Sequence, residues 1–87
     1  MDWDALIGRL IHPTQVAIIE AMQWIDRPLS PVELVRVFDS EIALSSVAYH
    51  VRRLSELDVL KRTGMRQVRG AREHFYRLVT AEASASD

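Results

Sequence analysis

The sequence predicts a mainly α domain of the α+β class: four helices followed by a two-stranded β-hairpin. Three observations carry that prediction. Apolar residues recur at helical spacing from Trp3 to Leu57. A cation-rich stretch of alternating residues broken by Gly70 follows. Ser, Pro and Asp stand where helices should start and stop. With 87 residues, 48% of them hydrophobic, the chain can fill one small core. The expected organisation is one domain over residues 1–79 and a short polar tail over residues 80–87.

The first helix is expected over residues 2–11. Asp2 suits its cap and Asp4 the positive end of its dipole. Trp3, Leu6, Ile7 and Leu10 follow at i, i+3, i+4 and i+7. That stripe either roofs the core or packs on a second subunit. His12-Pro13 interrupts the run, and Pro13 suits the first position of a second helix reaching Ile25. Its broad apolar face comprises Val16, Ile18, Ile19, Met22 and Ile25. Asp26-Arg27-Pro28-Leu29 reads as a turn.

Ser30-Pro31-Val32-Glu33 is the sharpest local signal: a capping box with proline at the first helical position. Such a cap typically contributes about 1 kcal/mol. The third helix carries Val32, Leu34, Val35, Val37 and Phe38 and stops near Asp39-Ser40. A short link, Ser40-Glu41-Ile42-Ala43, leads to the next helix. Two helices joined this tightly are a helix-turn-helix candidate.

Residues 44–57 read as one helix with two unlike faces. Val47, Val51 and Leu54 recur at i, i+4 and i+7, and Leu57 extends the stripe. At about 100° per residue, Ser45, Ala48, Tyr49 and Arg52 point the other way, with Arg53 at the edge. A helix entering a DNA major groove needs this mixture. Small residues allow close approach, polar groups meet base edges, and cations meet phosphates. The plainer reading is a surface helix with a solvated arginine pair. His50 lies beside the apolar stripe and suits packing or a phosphate contact better than base reading. Its titration near neutral pH would make binding pH-sensitive.

After Leu57, Asp58 is a residue that tolerates the left-handed conformation at a helix end. Residues 59–68 read as a strand, Arg69-Gly70-Ala71 as a turn with Gly70 available for positive φ, and residues 72–79 as a second strand. Alternation places His74, Tyr76 and Leu78 on one face, taken as inward, and Glu73, Phe75 and Arg77 on the other. The hairpin tip carries Arg66, Gln67, Arg69 and Arg72.

The net charge of −1 conceals a segregation. Residues 1–45 hold three arginines against seven acids; residues 46–79 hold eight cations against three acids. Such a split suits a polyanion on one face, and arginine forks onto phosphate and guanine better than lysine. There is no cysteine, which excludes disulfides, thiolate catalysis and cysteine metal sites. His12, His50 and His74 sit on separate elements with no i, i+4 pair, so no metal site and no cofactor is expected. Without a Gly-rich phosphate loop or paired carboxylates on a helix, catalysis is not expected either. No apolar run approaches the roughly 18 residues of a membrane span. The expectation is a soluble cytoplasmic protein.

The order helix, helix, capped helix, recognition-like helix and hairpin resembles the winged helix-turn-helix repressors of the ArsR type. The resemblance rests on residues 12–19, 30–34, 45–54, Arg69-Gly70 and 74–78, and covers about residues 10 to 79. It implies a homodimeric regulator of double-stranded DNA, with helix 44–57 in the major groove and the hairpin, or wing, along the backbone. On that reading Ser45, Ser46, Tyr49, His50, Arg52, Arg53, Arg66, Gln67, Arg69 and Arg72 form the DNA face. Three departures stand out. Ala43 replaces the serine often found before the recognition helix. Val35 and Val37 occupy the stretch where metal sensors of this type carry cysteines. Small residues fill the position of the family's long dimerisation helix, so the dimer is expected to lean on Trp3, Leu6, Ile7 and Leu10. The alternative is a winged protein-docking module without DNA binding of its own.

Overall fold

A computed structural model describes residues 12–79. The expected first helix, with Trp3, Leu6, Ile7 and Leu10, and the expected tail lie outside the described residues. Within them the order is α1 (Pro13–Ile25), α2 (Pro31–Val37), α3 (Leu44–Glu56), β1 (Leu60–Val68) and β2 (Ala71–Leu78). Three helices and an antiparallel hairpin are therefore observed among the described residues. None of these helices is long and apolar enough to cross a membrane.

The helix starts differ in how they are capped. Pro13 takes the first position of α1 as expected, and the His12 side chain caps it: Nδ1 accepts from the Thr14 amide at 3.1 Å. At α2 both halves of the capping box are made. Ser30 Oγ accepts from the Glu33 amide at 3.2 Å, and the Glu33 carboxylate accepts from the Ser30 amide at 3.1 Å. Ala43, at the start of α3, makes no side-chain cap bond.

The helix stops share one device, an aspartate in the left-handed region. Asp26 has φ 54°, Asp39 51° and Asp58 62°. Asp39 and Asp58 each sit in a Schellman arrangement. The Asp39 and Ser40 amides donate to Arg36 and Val35; the Asp58 and Val59 amides donate to Ser55 and Leu54. Both Leu54 and Val59 are buried, which completes the apolar contact that accompanies this stop.

One core joins the elements. Ile18, Ile19 and Met22 of α1 meet Leu34 of α2, Val47, Val51 and Leu54 of α3, and Leu29, Val59 and Leu60 from the connections and β1. Each such side chain contributes about 1.5–3 kcal/mol on full burial. Tyr76 and Leu78 pack on this core, as the inward assignment of that strand face required, whereas Glu73, assigned outward, is largely buried because its carboxylate accepts from the buried Ser30 hydroxyl. Of the apolar residues that α2 carries, Val32 and Val37 are exposed, and Leu34 is the only fully buried residue of the helix. Seven residues of helix have room for little more.

The hairpin pairs Leu60 with Leu78 at its base and Val68 with Ala71 at its tip, with a bulge between Arg62 and Gly64. Its turn is Arg69-Gly70 alone; Ala71 begins β2 instead of belonging to the turn. Both turn residues have positive φ, 51° and 81°, the pattern of a type I′ turn that matches strand twist. The other edge of β2 is fastened to the α1–α2 connection. Leu29 and Tyr76 exchange two backbone hydrogen bonds, at 2.8 and 2.9 Å.

Candidate nucleic-acid interface

The exposed face of α3 follows from its period. Val47, Val51 and Leu54 are buried, which turns Ser45, Tyr49 and Arg52 outward at i, i+4 and i+7. Tyr49 is 53% exposed. Arg53 is exposed beside them, with its guanidinium 2.9 Å from Glu56, and Ser46 is half-buried.

His50 belongs to the other face. It is 7% exposed, three residues from Val47 and four from Leu54, and it packs inward. Its Nδ1 lies 3.2 Å from Gln15 Nε2, and its ring lies 4.1 Å from that of His12. His50 therefore ties α3 to α1 and does not share the outward surface of Tyr49 and Arg52. Burial, and secondarily the neighbouring His12, push its pKa below the ordinary value.

On the hairpin, Gln67, Arg69 and Arg72 are exposed. Arg66 is engaged. It lies opposite Glu73 in the register and bonds it at 3.0 Å, and its guanidinium sits 5.4 Å from the Phe75 ring centre. Phe75 is half-buried beside this guanidinium. The Ser30 hydroxyl donates to the same Glu73 carboxylate. This bond first, then Arg66, holds the Glu73 carboxyl below its ordinary range.

The elements converge. Arg52 of α3 and Arg66 and Arg72 of the hairpin line one cleft of about 510 Å³. The sequence-based face is thus brought together at Arg52 and Arg72, while His50 is turned away from it. Arg36 of α2 also lines the cleft, and the sequence reading missed it. By position it falls in the acidic half of the chain, and only the packing of α2 beside β2 brings it to the cations. Its one local signal is Val32, one turn earlier on the same helix face. Among the described residues no group of three or more potential metal ligands occurs.

A family model described as a helix-turn-helix domain matches residues 10–63, from just before α1 into β1. The match is to helix-turn-helix domains at large and does not single out the ArsR type. Comparison with curated proteins finds no match. In helix-turn-helix domains that bind DNA, the second helix of the motif is the one presented to the duplex; here that helix is α3. With well over half of its length matched, and the helices in the order the motif requires, the chain belongs to the helix-turn-helix domain family.

Proposed function

We propose that the protein is a winged, ArsR-like regulator that binds double-stranded DNA as a homodimer and represses transcription by occlusion. The observation that carries this reading is the meeting of Arg52 with Arg66 and Arg72 across one cleft. Helix α3 enters the major groove with Ser45, Ser46, Tyr49 and Arg52 towards base edges. Arg53, Gln67, Arg69 and Arg72 contact the backbone, and Arg66 joins them by exchanging Glu73 for phosphate. Arg66 is the exposed member of that pair, so its guanidinium can reach a phosphate while the Glu73 carboxylate keeps its bond from Ser30. A dimer would place its two α3 helices roughly 34–36 Å apart, one helical turn of the duplex. Trp3, Leu6, Ile7 and Leu10 are assigned to the contact between subunits. Trp24 on α1 supports self-association: it is 89% exposed, and tryptophan is enriched at the centre of interfaces.

The test is a salt series of duplex binding for the native chain and Arg69→Gln/Arg72→Gln, two of the arginines assigned to the backbone. Each phosphate contact contributes a slope of about −0.9 in log affinity against log salt, so the double variant should be shallower by about 2. The exposed Trp24 equally suits a docking module. A flat salt response, or a variant identical to the native chain, would favour docking and reject DNA binding.

A further inference from the structure

The cleft between α2, α3 and the hairpin has more hydrocarbon than a phosphate backbone requires. Val32, Leu44, Ala48 and Val68 line it, and three of them are exposed large hydrophobics: Val32 at 38%, Leu44 at 48% and Val68 at 39%. They come from three different elements and face one concavity, so they are not scattered surface residues.

Its cations are also distinctive. Arg66 is neutralised by Glu73, which lines the same cleft. Arg36, Arg52 and Arg72 also line it, and none is ion-paired with a carboxylate of the described residues. His74 forms part of the wall as well, and its Nδ1 is the only buried side-chain polar atom without a partner among the described residues. An apolar lining with a few convergent donors, in a volume between roughly 300 and 1,000 Å³, is how small-molecule sites are built.

From this combination we infer that the cleft is a binding site for an amphipathic organic anion: a carboxylate carried on an apolar body of one or two rings. Its ring system covers Val32, Leu44 and Val68, and its carboxylate is held by Arg36 with Arg52 or Arg72. Guanidinium suits this task because its planar fork matches both oxygens of a carboxylate. The regulatory consequence rests on the DNA-binding reading. An acid seated here engages Arg52 or Arg72 and fills the space between helix and wing, so it and the duplex exclude one another. By linkage, the duplex lowers affinity for the acid by the same factor.

The test uses the intact chain and 2-naphthoate, whose own fluorescence reports binding. The controls are 2-naphthamide, which keeps the body and loses the charge, and inorganic phosphate, which has charge and no body. Saturable one-to-one binding of naphthoate is expected, with naphthamide weaker by about tenfold or more. Arg36→Gln and Val32→Gln lie on the exposed surface of α2 and should each weaken naphthoate about tenfold without altering the melting transition. In amide spectra, shifts should gather at Val32, Ala48 and Val68. Equal binding of naphthoate and naphthamide overturns the site, as does equal competition by phosphate, or shifts gathered around Trp24 instead. A duplex-displacement arm separates the two readings. Naphthoate binding without any duplex binding leaves the ligand site standing and removes the DNA reading. Duplex binding without naphthoate binding removes the ligand site alone. Duplex affinity unchanged by saturating naphthoate overturns the mutual exclusion.

Discussion

Arg69 stands in the left-handed region, φ 51°, where the first residue of a type I′ turn is ordinarily asparagine, aspartate or glycine. An L-residue with a full side chain gives up about 1 kcal/mol there. Such departures from local preference gather at functional positions, and this one holds a guanidinium at the wing tip. Arg69→Asn is therefore expected to act in opposite directions. It should stabilise the fold by several tenths of a kcal/mol in thermal melts, and it should weaken duplex binding in the same preparation. A more stable variant with native affinity would make Arg69 an ornament of the turn. His50 gives a second prediction at this scale. Its pKa is held below 6.5 in the fold, so on acidification the unfolded chain takes up the proton first. Stability is thus greatest above 6.5 and falls as the pH drops through that value towards the lower folded pKa. Melting temperatures compared at about pH 7 and pH 5 should fall, and His50→Gln should fall less. An identical decline in the variant would assign the effect to other groups.

Among the elements, α3 is the helix whose start is left uncapped. Ala43 has extended backbone angles, φ −63° and ψ 146°, the conformation from which a serine accepts from the helix's first amides. Ala43→Ser should add about 0.5–1 kcal/mol, read as a rise in melting temperature of about 4–8 °C per kcal/mol for a domain of this size. No rise would mean that water already satisfies those amides. The same caps explain what was legible in the sequence. Ser30 and Glu33 bond each other three residues apart, so their signal is local and the structure reproduces it. Asp58 is likewise a local stop. The turn was less legible, because Arg69-Gly70 and Arg69-Gly70-Ala71 use the same residue types and only the pairing of Val68 with Ala71 decides between them. Which apolar residues of α2 are buried was not legible, since the exposure of Val32 and Val37 depends on where the neighbouring elements pack.

For the whole molecule, charge segregation along the chain proved a partial guide to charge in space. Arg52 and Arg72 line one cleft, and Arg36 joins them there from the acidic half. Arg53 and Arg66 are engaged by Glu56 and Glu73, which a count of charges does not reveal. Of the two roles the sequence left to His50, packing or a phosphate contact, the fold favours packing, and its partners Gln15 and His12 are too distant in sequence to be read from the pattern of α3. The salt series belongs to this scale, since its slope counts every arginine that finds a phosphate, including those that first release a carboxylate. The clasp of Leu29 on Tyr76, reinforced by Ser30 on Glu73, has a consequence for how such a surface is used. It ties the wing to the base of the capped helix, and on the DNA-binding reading this would help set the placement of the hairpin before any duplex arrives. Ordering costs would then fall on folding instead of on association, and the protein would meet a duplex as a caliper already opened to width.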